Sequence, residues 1–241
     1  MIMSNFNASL SSFFKLNSVK NWLIVHWQFL VLGISLPLLL FIILALKIGE
    51  NASGLSWDVS ILFSVYSPRQ TQLEKLVFIL TRAGMFPGIF WLATPVISTL
   101  GYQKKWRSLL YFFLTLLGSG LISISTKIFF HRMRPDFGIS THPLPTDFSF
   151  PSGHALLSMA FTIALVILTW KTKWRGLVIG LGGLFVLTIA WTRLYLGVHF
   201  PSDILGGWLL AITWAVLASL LLNLHQFDIL VSDQSSKISK H

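Results

Sequence analysis

The sequence predicts an all-α, polytopic membrane protein with six transmembrane helices. Three observations carry that expectation. Residues of the Ala, Val, Ile, Leu, Met, Phe, Trp, Tyr and Cys set make up 54% of the 241 residues and charged residues only 11%, against about 25% charge in a soluble domain. Mean hydropathy is +0.73. The apolar residues gather in six long stretches, most of them near the ~20 residues that a bilayer-spanning helix needs. This much apolar surface excludes an intrinsically disordered chain. The absence of Cys excludes a disulfide framework, thiolate chemistry and Cys-ligated zinc or iron–sulfur centres.

The stretches run roughly over 22–46, 76–100, 109–130, 155–170, 176–190 and 204–224. The first is too long, and begins too far in, for a cleaved signal peptide, and it lacks a small-x-small cleavage site. The second carries Arg82 beside Gly84 and Pro87, read as a cation reaching the outer interface from a helix end. The fourth and fifth are short unless flanking residues extend them. Between the first two, residues 55–66 mix aromatics with Asp58 and are too short to span, so an interfacial helix is expected there. The chain shows no repeat. It reads as one integral membrane domain over 1–241, with a cytoplasmic segment 1–21, a core over 22–224 and a cytoplasmic tail over 225–241.

The formal charge of +10 would suggest nucleic acid in a soluble protein. Here it sets topology, and no nucleic-acid partner is expected. Lys15, Lys20, Lys104, Lys105, Arg107, Lys171, Lys173, Arg175, Lys237 and Lys240 fall on one side if six helices cross in turn. The positive-inside rule makes that side, and both termini, cytoplasmic. The loops near 47–75, 131–153 and 193–203 then face outside.

The rule should empty the outer face of cations, yet Lys127, His131, Arg132, Arg134, His154, Arg193 and His199 cluster there with Asp203. Something negative is expected to be held at that face. Lys127 and Arg134 are seven apart, so they share a helix face if the helix continues that far. Pro135 disfavours helix at Arg134 and marks the exit. Two cations at one helix end can hold a phosphate, Arg as a fork and Lys as a point charge. In Phe150–His154, Ser152 is a good N-cap and Gly153 lets backbone approach a ligand closely. Free N–H groups and the dipole at such an end attract an anion. His154 lies in that first turn. Further on, Asp203 follows His199 by four residues. Its carboxylate can accept one imidazole N–H and leave the other nitrogen free to attack.

These three groups resemble the signature of the type 2 phosphatidic acid phosphatase (PAP2) family. The family pattern is K-x6-R-P, then P-S-G-H, then S-R-x5-H-x3-D; here it reads Lys127–Pro135, Pro151–His154 and Thr192–Asp203. Thr192 stands where the family has Ser, and since both offer a hydroxyl little effect is expected. The segment 136–150 between the first two motifs is short. The resemblance implies a PAP2-like helical bundle with its active site at the outer ends of helices 3–6. It implies that His199 attacks phosphorus to form a phosphohistidine, oriented by Asp203. His154 would protonate the leaving oxygen and then activate water. Lys127, Arg134, Arg193, Ser152 and the amide of Gly153 would hold the phosphoryl oxygens.

No cofactor and no metal are expected, because only Asp203 and Asp136 supply carboxylates nearby and Mg²⁺ sites want more oxygen ligands. The implied partner is a membrane lipid phosphate in the bilayer, such as phosphatidic acid, phosphatidylglycerol phosphate or an undecaprenyl diphosphate. No obligate protein partner is expected. His131, Arg132 and His142 read as solvated loop residues, with contact to a second phosphate as their other reading. A lipid phosphotransferase would use the same residues. A non-enzymatic lipid-binding or transport protein would want polar or broken helices near the midplane. Short loops and tails suit a bacterial inner membrane, with the site on the periplasmic or extracellular side.

Overall fold

The computed structural model describes residues 26–51, 53–65, 71–136, 145–222 and 224, and no strand occurs among them. His142, the N-terminal segment 1–21 and the tail 225–241 lie outside the described residues. The helices are α1 (His26–Glu50), α2 (Ser56–Val65), α3 (Thr71–Ala83), α4 (Phe86–Tyr102), α5 (Trp106–Phe130), α6 (Gly153–Thr169), α7 (Arg175–Tyr195) and α8 (Pro201–Leu221). By length and composition α1, α5, α7 and α8 are each sufficient to cross a membrane. α3 and α4 pass the same test only when taken together, as a broken span or a re-entrant pair bent by 54°, and α6 is a shorter apolar helix.

The second expected span is therefore not one helix. Pro87 lies in the first turn of α4, where its missing N–H costs nothing, and Met85 before it is extended. A Cβ on Gly84 would stand 2.8 Å from the Ile189 side chain, so the glycine lets the break seat against α7. α3 carries Glu74, Lys75 and Arg82 along with its apolar residues, so it is amphipathic rather than apolar all round. Arg82 is exposed on its last turn, as expected for a cation at a helix end. In α1, Pro37 has no N–H to return to the preceding turn, and residues Phe29–Ser35 widen into a π-helix.

α8 is the central element, lying against α6, α1 and α5, while α6 also packs on α5 and α7. Phe41, Ala45, Phe150, Leu156, Ala160 and Ala211 form one core cluster; Phe112, Leu116, Phe161, Ala164 and Ala218 contribute to another. Leu117, Leu121 and Ile124 of α5 and Leu177, Leu181 and Leu184 of α7 are exposed. An apolar outside around a bundle is what lipid requires of it. The polar residues are instead drawn inward: Asp58, Ser152, Ser202 and Asp203 are fully buried.

The connections sort to two ends. The backbone N–H of Ser152 donates to Asp203 O at 2.9 Å, which joins the start of α6 to the first turn of α8. The end of α5 and the end of α7 meet there too, since Arg134 donates to Val198 O at 2.7 Å. The basic connections at 103–105 and 170–174 lie at the far ends of these helices.

Candidate active site

α5 stops at Phe130 because His131 turns left-handed, with φ 48°. Residues 131–136 continue without helix. Lys127 and Arg134 thus do not share one helical face; they converge because the strap folds back. Ser149 ties that strap down, donating from its N–H to Arg132 O at 2.8 Å and from its hydroxyl to Met133 O at 3.0 Å.

The point of convergence is Asp147. Lys127 Nζ pairs with one carboxylate oxygen and also donates to Phe148 O at 2.8 Å. Arg134 pairs with the other oxygen at 2.6 Å and donates from Nε to Asp147 O at 3.0 Å. Burial alone would raise the Asp147 carboxyl, but the hydrogen bonds and charges of Lys127 and Arg134 hold it below the usual carboxylate range. Sequence reasoning missed Asp147, whose lone carboxylate in a loop carried no periodic signal.

His199 follows α7 in the short turn before α8. Its Nδ1 lies 3.3 Å from Asp203 Oδ2, and its Nε2 lies 3.0 Å from Arg134 Nη1. A guanidinium donates and never accepts. Nε2 is therefore the bare nitrogen, and Nδ1–H donates to Asp203. His199 is 1% exposed. Burial first, then the charges of Arg134, Arg193 and Lys127, hold its imidazole well below the usual range, so it is neutral. Asp203 is fixed by the Phe200 N–H, which donates to Oδ2 at 2.9 Å, as a carboxylate in a helix's first turn commonly is.

Ser152 is the N-cap of α6 by position, yet its hydroxyl makes no capping bond. Its Oγ is instead buried without a hydrogen-bond partner, as are His154 Nε2 and Arg193 Nε. Three of the expected site residues therefore carry unspent polar capacity, where buried polar atoms are otherwise paired. Arg193 reaches Thr81 of α3 through Nη1 at 2.8 Å. The glycine at 153 has a packing reason: a Cβ would stand 3.1 Å from Ser123 Oγ on α5. Thr192 turns its hydroxyl onto Ile189 O of its own helix at 2.6 Å.

Two expectations require correction. Arg132 is not a solvated loop residue. It is 1% exposed, with Nη1 2.5 Å from Asp203 Oδ1 and Nη2 3.0 Å from Asp58 Oδ2. Asp58, on the α2 expected at the interface, is 0% exposed. The carboxylates near the site thus include Asp58 and Asp147 as well as Asp203 and Asp136. Each of Asp58, Asp147 and Asp203 pairs with a cation, and no metal-binding group of three His, Asp or Glu occurs among the described residues. His131 is exposed, its ring centroid 4.6 Å from that of Phe148 in an edge-on arrangement, as a loop residue should be.

The fold is that of an all-helical membrane protein, and Lys127, Arg134, His199 and Asp203 gather where four of its helix ends meet. The chain belongs to the PAP2 superfamily, whose family model matches residues 108–226. It is 33% identical over 186 residues to the undecaprenyl-diphosphatase of Sulfolobus acidocaldarius, covering 72% of this chain and 83% of that protein. It is likewise 33% identical to phosphatidylglycerophosphatase B of Bacillus subtilis, over 72% of this chain and 87% of that one. The crystal structure of a transmembrane PAP2 type phosphatidylglycerolphosphate phosphatase from Bacillus subtilis superposes with a TM-score of 0.67 at 28% identity, over 77% of this chain and 93% of that one. The protein is thus a membrane protein of a lipid phosphatase family.

Proposed function

We propose that the chain hydrolyses the terminal phosphate of a membrane lipid phosphate or diphosphate through a phosphohistidine on His199. The observation that carries this reading is the bare Nε2 of a neutral His199, backed by Asp203 and facing a cluster of cations. In the first step Nε2 attacks phosphorus and the bond to the leaving oxygen breaks. His154 gives that oxygen a proton. The imidazole becomes cationic as the new bond forms, and the Asp203 carboxylate opposes that charge. Lys127, Arg134, Arg193, Ser152 Oγ and the Gly153 amide hold the phosphoryl oxygens, a preorganised positive environment that needs no rearrangement as charge shifts. In the second step His154 takes a proton from water, water attacks phosphorus, and the nitrogen–phosphorus bond breaks to release inorganic phosphate. Asp147 must yield its two cations for the phosphoryl group to enter.

The substrate class is supported by the names of two relatives, an undecaprenyl-diphosphatase and a phosphatidylglycerophosphatase. A lipid of either kind presents its phosphate at the interface while its chains stay in the bilayer. On this reading α1, the broken α3–α4 pair, α5, α6, α7 and α8 are six crossings, with both termini cytoplasmic and the site outside.

The test is phosphate release from a panel of lipid phosphates and diphosphates in detergent with EDTA present. His199→Ala should lower turnover by at least about 10³-fold. Activity of that variant within tenfold of wild type overturns the assignment of His199. Loss of wild-type activity in EDTA, restored by Mg²⁺, overturns the metal-independent mechanism. In labelled water the oxygen should enter inorganic phosphate; transfer of the phosphoryl group to another lipid instead identifies a phosphotransferase.

A further inference from the structure

The carboxylate that backs His199 is itself held from behind by residues of two other parts of the chain. Arg132 Nη1 lies on Asp203 Oδ1 at 2.5 Å, on the oxygen that His199 does not use. The same guanidinium stacks over the Phe200 ring at 4.4 Å, one residue from His199. Its Nη1 also donates to Ser202 Oγ at 2.7 Å, and its Nη2 donates to Asp58 Oδ2 at 3.0 Å. Asp58 closes the circuit. It accepts the Ser202 N–H on Oδ1 at 2.8 Å and the Ser202 hydroxyl on Oδ2. Asp58 is placed by the turn that enters its own helix, accepting the Leu55 N–H at 3.3 Å. Gly54, at φ +114°, brings that turn against Phe200, where a Cβ would come within 2.9 Å of the ring.

An Arg placed alone on Asp203 would weaken it. A cation at hydrogen-bond distance competes with the imidazolium for the same carboxylate, and at low dielectric that competition is strong. Asp58 removes the conflict. Asp58, Arg132 and Asp203 carry charges of −1, +1 and −1, so the buried group presents a net −1 toward His199. A link that served only to pack helices would be met as well by apolar side chains, because buried ion pairs are weak stabilisers.

We propose that Asp58 and Arg132 are positioning residues for His199, acting through Asp203: Arg132 fixes the carboxylate's direction, and Asp58 offsets the charge that Arg132 brings. The proposal rests on His199 being the nucleophile. The other charged groups facing His199 are Arg134, Arg193, Lys127 and His154, and they are common to every variant below.

The experiment measures kcat and KM against pH for wild type, Asp58→Asn, Arg132→Gln and the double variant, purified in detergent and normalised to folded protein. The probes are dioctanoyl phosphatidic acid and farnesyl diphosphate. Each single variant should lose at least about tenfold in kcat while KM stays within about twofold. The acidic limb, where His199 becomes protonated, should move in opposite directions. Asp58→Asn removes a negative charge, disfavours the imidazolium and moves the limb down by about half a pH unit or more. Arg132→Gln removes a positive charge and moves it up. The double variant should return toward the wild-type limb.

Limbs that stay in place in all variants overturn the relay and leave a structural brace. A raised KM with kcat kept overturns it in favour of a phosphate ligand. If the neutral variants fail to fold, Asp58→Glu and Arg132→Lys carry the test. Both keep their charge and should lower kcat at an unmoved limb, and a shifted limb there overturns the proposal. His199→Ala in parallel separates the two levels. Turnover surviving in it refutes His199 as nucleophile, whereas a His199-dependent enzyme with unmoved limbs refutes only the relay.

Discussion

Asp147 is a carboxylate resting where Lys127 and Arg134 converge, so an anion is already in contact with the two cations that a phosphoryl group would use. Its side chain is 54% exposed, which lets it swing away at little cost. Asp147→Asn should therefore free both cations. Inorganic phosphate should inhibit that variant about threefold or more tightly than wild type, with kcat little changed. An unchanged inhibition constant would mean that Asp147 does not compete with phosphate. His199 gives a pH prediction with a definite sign. In the proposed mechanism its neutral form attacks, and burial with the surrounding cations holds it below the usual imidazole value of 6.5. The kcat/KM profile should stay flat as pH falls through 6.5 and drop only at more acid pH. An acidic limb at or above 6.5 would show that His199 is not held neutral in the free enzyme. The His199–Asp203 pair was legible because a carboxylate four residues after a histidine can accept its ring N–H. Asp58 and Arg132 were not, because their bond spans 74 positions and a buried Arg in a strap leaves no periodic trace.

At the scale of elements, the site depends on how closely α8 lets α6 approach. A Cβ on Gly207 would stand 2.8 Å from Ser152 O and 3.0 Å from Leu156 N. Both are backbone atoms that cannot step aside. Gly207→Ala should push the first turn of α6 outward, and with it Ser152, Gly153 and His154. Overpacking of this kind costs roughly 1–3 kcal/mol, and turnover should fall by more than tenfold because the proposed mechanism places the shifted residues around the reacting phosphate. Wild-type turnover in Gly207→Ala would show that α6 has room to spare. The start of α6 was legible from Ser152 and the apolar run behind it. That the Ser152 hydroxyl would be left unspent rather than capping was not, since the choice depends on what lies across from it. The break at Gly84 to Pro87 carried its signals in plain sight, but mean hydropathy over 76–100 outweighed them. Only the packing of Gly84 on Ile189 shows that the bend is wanted there.

For the whole molecule, hydropathy read the class correctly because lipid imposes its demand on every turn of a spanning helix. The inversion of polarity was harder to foresee. The apolar side chains face outward on α5 and α7, and the charges of α2, the strap and α8 meet inside. α5, at 25 residues, is about 38 Å long, whereas α6, at 17 residues, is about 26 Å, less than the ~30 Å hydrocarbon core. Orientation then rests on the basic connections, and the absence of native Cys makes it directly testable. Single Cys replacements at Lys105 and Lys173, both exposed at one end, and at Thr146, exposed at the other, should differ toward a membrane-impermeant maleimide. In intact cells Thr146→Cys should label, and Lys105→Cys and Lys173→Cys should label only after lysis. The reverse pattern would place the site in the cytoplasm, against the positive-inside rule. Labelling of all three from one side would overturn the crossing of α5, α6 and α7, because those helices separate the two ends of the bundle.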